Sequence, residues 1–247
     1  MSELKDLLIR QLALDYSCGE EALRDGRNHF VEYRPMEGRR MWHAEEACFL
    51  KALSFGGKLI MAGRADIIRV CGEVFAEASG DWFMDAGRMR QLESVIRPYG
   101  YRIGQAHPFY LSEESVPVPA YSFDTIRYDR AAIEQFRGDS RFDEAYAFDP
   151  VAPDEIGIAA VENGQFIGMA GASSDSPLFW QIGINVIPEA RGRRIGSTLV
   201  RLLVDDVRAK GAVPFYGTSI SNIGSQRVAH HAGFVPAWSE LSTEKAE

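Results

Sequence analysis

One stretch, residues 178–200, constrains the fold of this chain more than any other, because an apolar run leads directly into a turn rich in arginine and glycine. The run predicts a strand over about Phe179–Val186, Pro188 opens a turn, and a helix follows. Glycine lets an anion approach the backbone, helix-start N–H groups point towards that anion, and arginine adds charge-assisted hydrogen bonds. The turn supplies all of these within six residues: Arg191, Gly192, Arg193, Arg194 and Gly196. We therefore predict that it binds the pyrophosphate of a nucleotide-bearing cofactor.

The charge of the chain narrows the class of ligand. The 247 residues carry a net charge of −8, which disfavours nucleic acid and anionic membranes as partners. Residues 188–201 depart from that background, with four arginines against a single glutamate. A basic segment on an acidic chain favours a small anionic ligand over a polyanion.

The cysteines and the N-terminus indicate the compartment. The three cysteines are Cys18, Cys48 and Cys71, and no Cys/His spacing is typical of zinc, so we predict no metal. An odd number of widely spaced cysteines favours a reduced, cytoplasmic setting. The first residues lack the basic start and apolar stretch of a signal peptide, and no apolar run is long enough to span a bilayer.

Periodicity predicts a chain of two α+β halves. Residues 113–119 are acidic and then alternate valine with proline, which favours an extended backbone. We interpret this segment as a linker between domains at 1–112 and 120–247. A surface loop within one domain would give the same pattern. In the second half, Asn163-Gly164 predicts a tight hairpin between Ile156–Glu162 and Gln165–Ala172. The strand at 178–186 follows without an intervening helix, so these three strands form an antiparallel meander. A last helix capped by Asn222 and a last strand over Phe234–Glu240 complete the prediction.

The turn differs from two familiar phosphate sites. A P-loop requires Gly-x-x-x-x-Gly-Lys-Ser/Thr, whereas Gly192 and Gly196 are four residues apart and Ser197 follows without a lysine. A dinucleotide fingerprint belongs to a parallel strand–helix–strand unit, whereas the strands predicted here are antiparallel. A strand–turn–helix phosphate site on a mixed sheet is the remaining interpretation.

Two motifs resemble one family. The segment Val186–Ser197 resembles the acetyl-CoA motif of the GCN5-related N-acetyltransferases (GNAT), Arg/Gln-x-x-Gly-x-Gly/Ala after a strand that ends in Val-x-Pro. Asn222 and Ser225, followed by Gly233-Phe234, resemble the family's next motif, Asn-x-x-Ala and then Gly-Phe. The resemblance covers about residues 120–247. Residues 65–111 resemble only faintly a degenerate acetyltransferase half, as in tandem members.

The resemblance implies a fold and a cofactor site. The fold is α+β, with a mixed, mostly antiparallel sheet flanked by helices (the acyl-CoA N-acyltransferase fold) and an additional N-terminal α+β domain. Acetyl-CoA would lie in a V-shaped gap between the 178–186 strand and a strand at Val213–Ser219. Backbone groups of the first strand would pair with the pantetheine arm, turn amides would hold the pyrophosphate, and Asn222 would contact the pantetheine or the thiol. The implied cofactor-binding residues are Ile184, Val186, Arg191, Gly192, Arg193, Arg194, Ile195, Gly196, Ser197 and Asn222.

Three positions depart from the family's pattern. Arg194 stands where the motif has its first glycine. Ala229 stands where many members carry a tyrosine that acts as thiol acid, and Trp180 where some carry a glutamate base. Two other residues are therefore candidates for catalysis: His107 as a base, and Asp175 as a group that grips a cationic amine. Structural use of the histidine and loop capping by the aspartate are the competing interpretations.

The sequence thus predicts an N-acetyltransferase that moves an acetyl group from acetyl-CoA to a primary amine of a small molecule, a peptide or a protein. The alternative is a non-catalytic acyl-CoA sensor or regulatory module, which the residues at positions 180 and 229 favour. The oligomeric state is left open.

Overall fold

A strand-rich chain with short connections is seen in the computed structural model, which describes residues 2–40, 48–112 and 116–246. Its described helices and strands are, in chain order, α1 (Ser2–Asp15), α2 (Glu20–Arg24), β1 (His29–Glu32), β2 (Leu50–Phe55), β3 (Lys58–Gly63), α3 (Ala65–Phe75), α4 (Ala86–Ile96), β4 (Tyr101–Ser112), β5 (Asp124–Asp129), α5 (Arg130–Ile133), β6 (Asp154–Glu162), β7 (Gln165–Ser174), β8 (Phe179–Val186), α6 (Ile195–Ala209), β9 (Val213–Gly217), α7 (Ile223–His231) and β10 (Phe234–Lys245). The chain divides into two units, Met1–Phe109 with Ala237–Glu247, and Tyr110–Pro236.

The first unit is a sheet with the strand order β1-β3-β2-β10-β4. β1 runs parallel to β3, whereas β2 is antiparallel to both β3 and β10. The amphipathic helix α3 buries Ile67, Cys71 and Phe75 in a core with the sheet residues Ala52 and Met61. Burial of this apolar area is the main stabilising contribution to the unit.

The second unit is a sheet with the order β9-β8-β7-β6-β5. β5 to β8 form an antiparallel meander, and β9 runs parallel to β8. α6 packs its apolar face on one side of this sheet, where Leu199 and Leu203 meet Ile158 and Ile182. The segment from α5 to about residue 148 covers the other side with a cluster of aromatic side chains.

The predicted fold class is confirmed: the chain is α+β, with a mixed, mostly antiparallel sheet flanked by helices. The Asn163-Gly164 hairpin is also confirmed, since both residues have the positive φ (51° and 76°) that a primed two-residue turn requires.

The division of the chain differs from the predicted domains at its C-terminal end. Ala237–Glu247 belongs to the first unit, because β10 runs past the predicted end at Glu240 and pairs with β2 from Ser239 to Ser242. Part of the proposed linker, residues 113–115, lies outside the described residues. Residues 116–119 have neither helix nor strand structure.

Two kinds of feature are absent from the residues that the structure describes. No helix there is both long and apolar enough to cross a membrane. No group of three or more His, Cys, Asp or Glu side chains is placed there to hold a metal ion.

Candidate functional site

The candidate site begins where β8 separates from β9. The two strands pair at only three positions, which end at Gln181 opposite Phe215. β8 then continues to Val186 with its pairing to β7 intact, so its other edge has no partner from β9 over five residues. An open strand edge offers backbone hydrogen bonds to an extended ligand.

Strand alternation fixes which backbone groups face the opening. The Ile187 N–H donates to the Ile167 carbonyl oxygen on the β7 side (3.2 Å). Because successive residues of a strand direct their N–H and C=O groups to opposite edges, those of Ile184 and Val186 face away from β7. The edge groups predicted to bind a pantetheine arm therefore lie on the opened side of β8.

The arginine-rich turn closes one end of this opening. A short 3-10 turn at Pro188–Ala190 leads to Gly192, which has a φ of +78°. The first hydrogen bond within α6 runs from the Thr198 N–H to the Arg194 carbonyl oxygen (3.0 Å). The N–H groups of the first three helical residues, Ile195–Ser197, therefore have no partner inside the helix and point out of its positive end. This arrangement is suited to a phosphate.

Arg194 has the left-handed conformation (φ +61°, ψ 13°) at the position where the motif has glycine. A side chain in this conformation costs about 1–2 kcal/mol, which glycine avoids. The departure from the motif thus changes the side chain while keeping the backbone geometry of the turn.

The three arginines of the turn are placed differently. Arg193 donates to both carboxylate oxygens of Glu162 at the end of β6 (3.0 and 2.5 Å), so its guanidinium is engaged by an acidic partner. The Arg191 Nε donates to the Val186 carbonyl oxygen (3.1 Å), next to the opened edge. The Arg194 side chain is exposed.

Helix α7 forms the opposite wall of the opening. Around the Gly196 Cα, a Cβ atom would lie 3.3 Å from a methyl group of Val228, 3.4 Å from Val186 and 3.6 Å from Ile184. The first turn of α6, the opened edge of β8 and one face of α7 therefore converge at this glycine. A larger residue would push these three elements apart.

The start of α7 carries a polar cluster. Asn222 caps the helix by accepting the Ser225 N–H on its side-chain oxygen (3.1 Å), which confirms the predicted cap. The Ser225 hydroxyl lies 2.8 Å from the phenolic oxygen of Tyr216. Tyr216 is the first residue of β9 beyond the last pair with β8, and burial raises the pKa of its phenol to about 12. The sequence signal for this contact is Ser225, a serine at the alanine position of the second motif.

The other face of β8 is covered by the loop at residues 143–146. Asn185 holds this loop by accepting the N–H groups of Glu144 (3.0 Å) and Ala145 (2.7 Å) on its side-chain oxygen. The Glu144 carbonyl oxygen lies so close to Gly183 that a Cβ there would be 1.9 Å from it. The backbone of the loop therefore requires glycine at this strand position.

A cavity of about 760 Å³ opens on this covered face, beside the turn. Its wall includes Arg141, Asn185 and Arg191. Nearby on β8, the side-chain oxygen of Gln181 is buried and accepts no hydrogen bond from the described residues.

The two predicted catalytic residues lie outside the cluster just described. Asp175 is 2% exposed in the loop before β8, at the opposite end of that strand from the turn, and accepts a hydrogen bond from the Ser173 hydroxyl (2.8 Å). These contacts fit loop capping. His107 lies half-buried on β4, within the first unit. The catalytic roles of both residues stay predictions.

The comparison with protein families decides the assignment of this unit. Residues 122–234 match the model of the acetyltransferase (GNAT) family. This segment is a GNAT acetyltransferase domain. The match contains the opening of β8, the arginine turn and α7, so the resemblance inferred from the two motifs is confirmed for the C-terminal half. No curated protein matches the chain.

Three solved structures are similar to this chain, and the first of them, with a TM-score above 0.5, has a similar fold. A GCN5-related N-acetyltransferase from Sphaerobacter thermophilus is 13% identical, with a TM-score of 0.51, over 96% of this chain and 91% of that one. A GCN5-related N-acetyltransferase-like protein from Streptococcus suis is 14% identical, with a TM-score of 0.48, over 79% and 84%. A putative acetyltransferase from Salmonella typhimurium, solved with acetyl-CoA, is 17% identical, with a TM-score of 0.36, over 51% and 95%.

Proposed function

We propose that the chain is an acetyl-CoA-dependent N-acetyltransferase that acts on a primary amine of a small molecule, a peptide or a protein. The observation that carries the proposal is the opened edge of β8, which leads through the arginine-rich turn into the N-terminus of α6. The open strand edge can bind the amide-bearing arm of CoA through backbone hydrogen bonds, and the helix start can bind its pyrophosphate.

The residues present fit this cosubstrate. The arm would bind to the backbone of Ile184 and Val186, and the pyrophosphate to the amides of residues 191–197, with Arg191 and Arg194 adding positive charge. Gly192 and Gly196 leave the approach to these amides open. When bound, acetyl-CoA supplies an acetyl group activated as a thioester, which passes to the amine nitrogen as the carbon–sulfur bond breaks.

The chain's own contribution is to position, exclude water and handle protons. The loop at 143–146 covers the face of β8 from which an amine can approach, and its Glu144 carboxylate is exposed. An acidic group beside the opening attracts a cationic amine, whose proton must be lost before the nitrogen can attack. His107 as the base and Asp175 as an amine-binding group remain part of this proposal.

Calorimetry with CoA and acetyl-CoA tests the cosubstrate, and thiol release over a panel of amines tests the reaction. We expect both ligands to bind and at least one amine class to release CoA thiol. If neither ligand binds at millimolar concentration, the proposal is wrong.

A non-catalytic acyl-CoA sensor is the second candidate, because Ala229 and Trp180 replace both proton-handling residues of the family. Ala229 is fully buried, so it leaves no polar group at that place. The sensor is favoured if acetyl-CoA binds and no amine releases the thiol.

A further inference from the structure

The leaving thiolate of an acetyl transfer needs a hydrogen-bond donor, and the position at which the family supplies one holds an alanine. Ala229 is fully buried, and Tyr216 belongs to the same apolar cluster. A tyrosine is therefore present near this place, but it comes from β9 rather than from α7. Its hydroxyl reaches α7 one turn earlier, at Ser225.

The face of α7 that carries Ser225 is directed at the opening. Asn222, Ser225 and Val228 follow each other at three-residue spacing, so they share one helix face. Val228 contacts the place where α6 and the opened edge of β8 converge, which fixes the direction of that face. Tyr216 adjoins the last pair of β8 with β9, so the Ser225 hydroxyl lies near the point at which the opening starts.

The two hydroxyls differ in access. Tyr216 is 2% exposed, whereas Ser225 is half-buried and lies towards the exposed start of α7. A ligand can therefore reach the serine while the tyrosine lies behind it. If the phenol donates to Ser225, the serine proton is left to point outwards.

We propose that the Ser225 hydroxyl donates a hydrogen bond to the CoA sulfur as the thiol departs, and that Tyr216 orients this hydroxyl. The inference rests on the proposed function. In the reaction, the amine nitrogen bonds to the acetyl carbon, the carbon–sulfur bond breaks and its electron pair stays on sulfur. The amine gives its proton to the base of the proposed function or to water, and the thiolate regains a proton from water. Ser225 is the catalytic residue of this step, and Tyr216 is a positioning residue.

The state of the phenol supports this arrangement. Burial raises the pKa of Tyr216 to about 12, against the hydrogen bond with Ser225, which lowers this pKa, and with a further rise from the charge of Glu144. The phenol is therefore protonated throughout the range in which a thiol with a pKa near 8.5 ionises. It therefore keeps its proton during turnover and can donate it to the Ser225 hydroxyl, although either oxygen can be the donor in this hydrogen bond.

The test is the pKa of the CoA thiol in the complex of the full chain with CoA, followed by ultraviolet thiolate absorbance. Desulfo-CoA bound to the same protein serves as the blank, because it has no thiol and leaves only the absorbance of the protein's own cysteines. Burial raises the pKa of Cys18 to about 11 and that of Cys71 to about 12, so these two thiols ionise above the range of the measurement. A hydrogen bond to the charged form lowers a pKa. We expect the bound thiol to ionise about 1–2 pH units below free CoA.

Ser225→Ala should return the thiol pKa to that of free CoA, and Tyr216→Phe should return it part of the way. Ser225→Ala restores the alanine of the motif and keeps the backbone N–H that Asn222 caps, so folding is expected to persist. Tyr110→Phe is the matched control, since Tyr110 is buried in the same cluster, and it should change nothing. An unchanged thiol pKa in Ser225→Ala would overturn the inference alone, whereas a wild-type chain that binds no CoA would overturn the proposed function as well.

Discussion

Arg193 and Glu162 form an ion pair with two hydrogen bonds between the arginine turn and the end of β6. This ion pair gives Arg193 a different role from Arg191 and Arg194. Its guanidinium already has an acidic partner, and the hydrogen bonds from Arg193 lower the pKa of Glu162. Arg191 lies beside the opened edge, and Arg194 precedes the first turn of α6. The electrostatic contribution to anion binding is therefore expected mainly from these two residues.

The first prediction is that Arg191→Glu combined with Arg194→Glu weakens CoA binding more than tenfold. Each charge-assisted hydrogen bond contributes about 1.5–3 kcal/mol, and about 1.4 kcal/mol corresponds to a factor of ten. Calorimetry measures the change. The control is the double variant Arg127→Glu and Arg137→Glu, which changes the net charge by the same amount on and near β5. Its CoA affinity should stay within a factor of about two of the wild type, because surface charge is screened by salt. Equal losses in the two double variants would show that overall charge, not the turn, governs binding.

The second prediction concerns the backbone of Arg194. Glycine avoids the steric cost of the left-handed conformation, but it also has more conformational entropy in the unfolded chain. We expect the first effect to be larger, so Arg194→Gly should raise the free energy of unfolding by about 0.5–1 kcal/mol. Arg193→Gly removes the same charge at a residue without a positive φ and should lower it. Urea unfolding compares the two variants. A loss of stability in Arg194→Gly would contradict the strain argument.

Local features of the fold could be predicted from the sequence, because each depends on residues close together in the chain. The Asn163-Gly164 hairpin requires only the two positive φ values of a tight turn, and the Asn222 cap needs only an N–H three residues later. The order of strand, turn and helix around the phosphate site follows from such signals.

Contacts between distant residues could not be predicted in this way. The pairing of Ser239 with Ser54 arises because β10 and β2 meet in the folded chain, and no local pattern in either segment specifies its partner. The Tyr216–Ser225 hydrogen bond likewise depends on how α7 packs against β9. Apolar periodicity shows that a strand or helix has a buried face, but it leaves the facing element undetermined.

The third prediction tests the loop that covers β8. Gly183→Ala would place a Cβ 1.9 Å from the Glu144 carbonyl oxygen, so the loop must shift, and we expect a loss of about 1–3 kcal/mol of stability. Gly87→Ala is the matched control, because nothing lies within 4 Å of its Cβ position in α4, and alanine favours helix by about 1 kcal/mol. Urea unfolding gives both values, and hydrogen exchange at the Glu144 and Ala145 amides reports the shift directly. Unchanged exchange at these amides would contradict the packing described.

The fourth prediction concerns the ion cluster buried in the first unit. Arg40 donates to Asp15 (2.6 Å) and to Glu240, with all three side chains less than 10% exposed, and the two carboxylates hold the pKa of Arg40 above its usual value despite burial. Arg40→Leu leaves two buried carboxylates without their cation and should cost about 3–5 kcal/mol at neutral pH. Arg102→Leu, which removes an exposed partner of Glu244, should cost less than about 1 kcal/mol.

Urea unfolding of both variants at neutral pH measures these two costs. The large loss is expected only for Arg40→Leu, because Asp15 and Glu240 are buried whereas Glu244 is exposed to water. A loss in Arg40→Leu as small as that in Arg102→Leu would rule out the buried carboxylates as its cause.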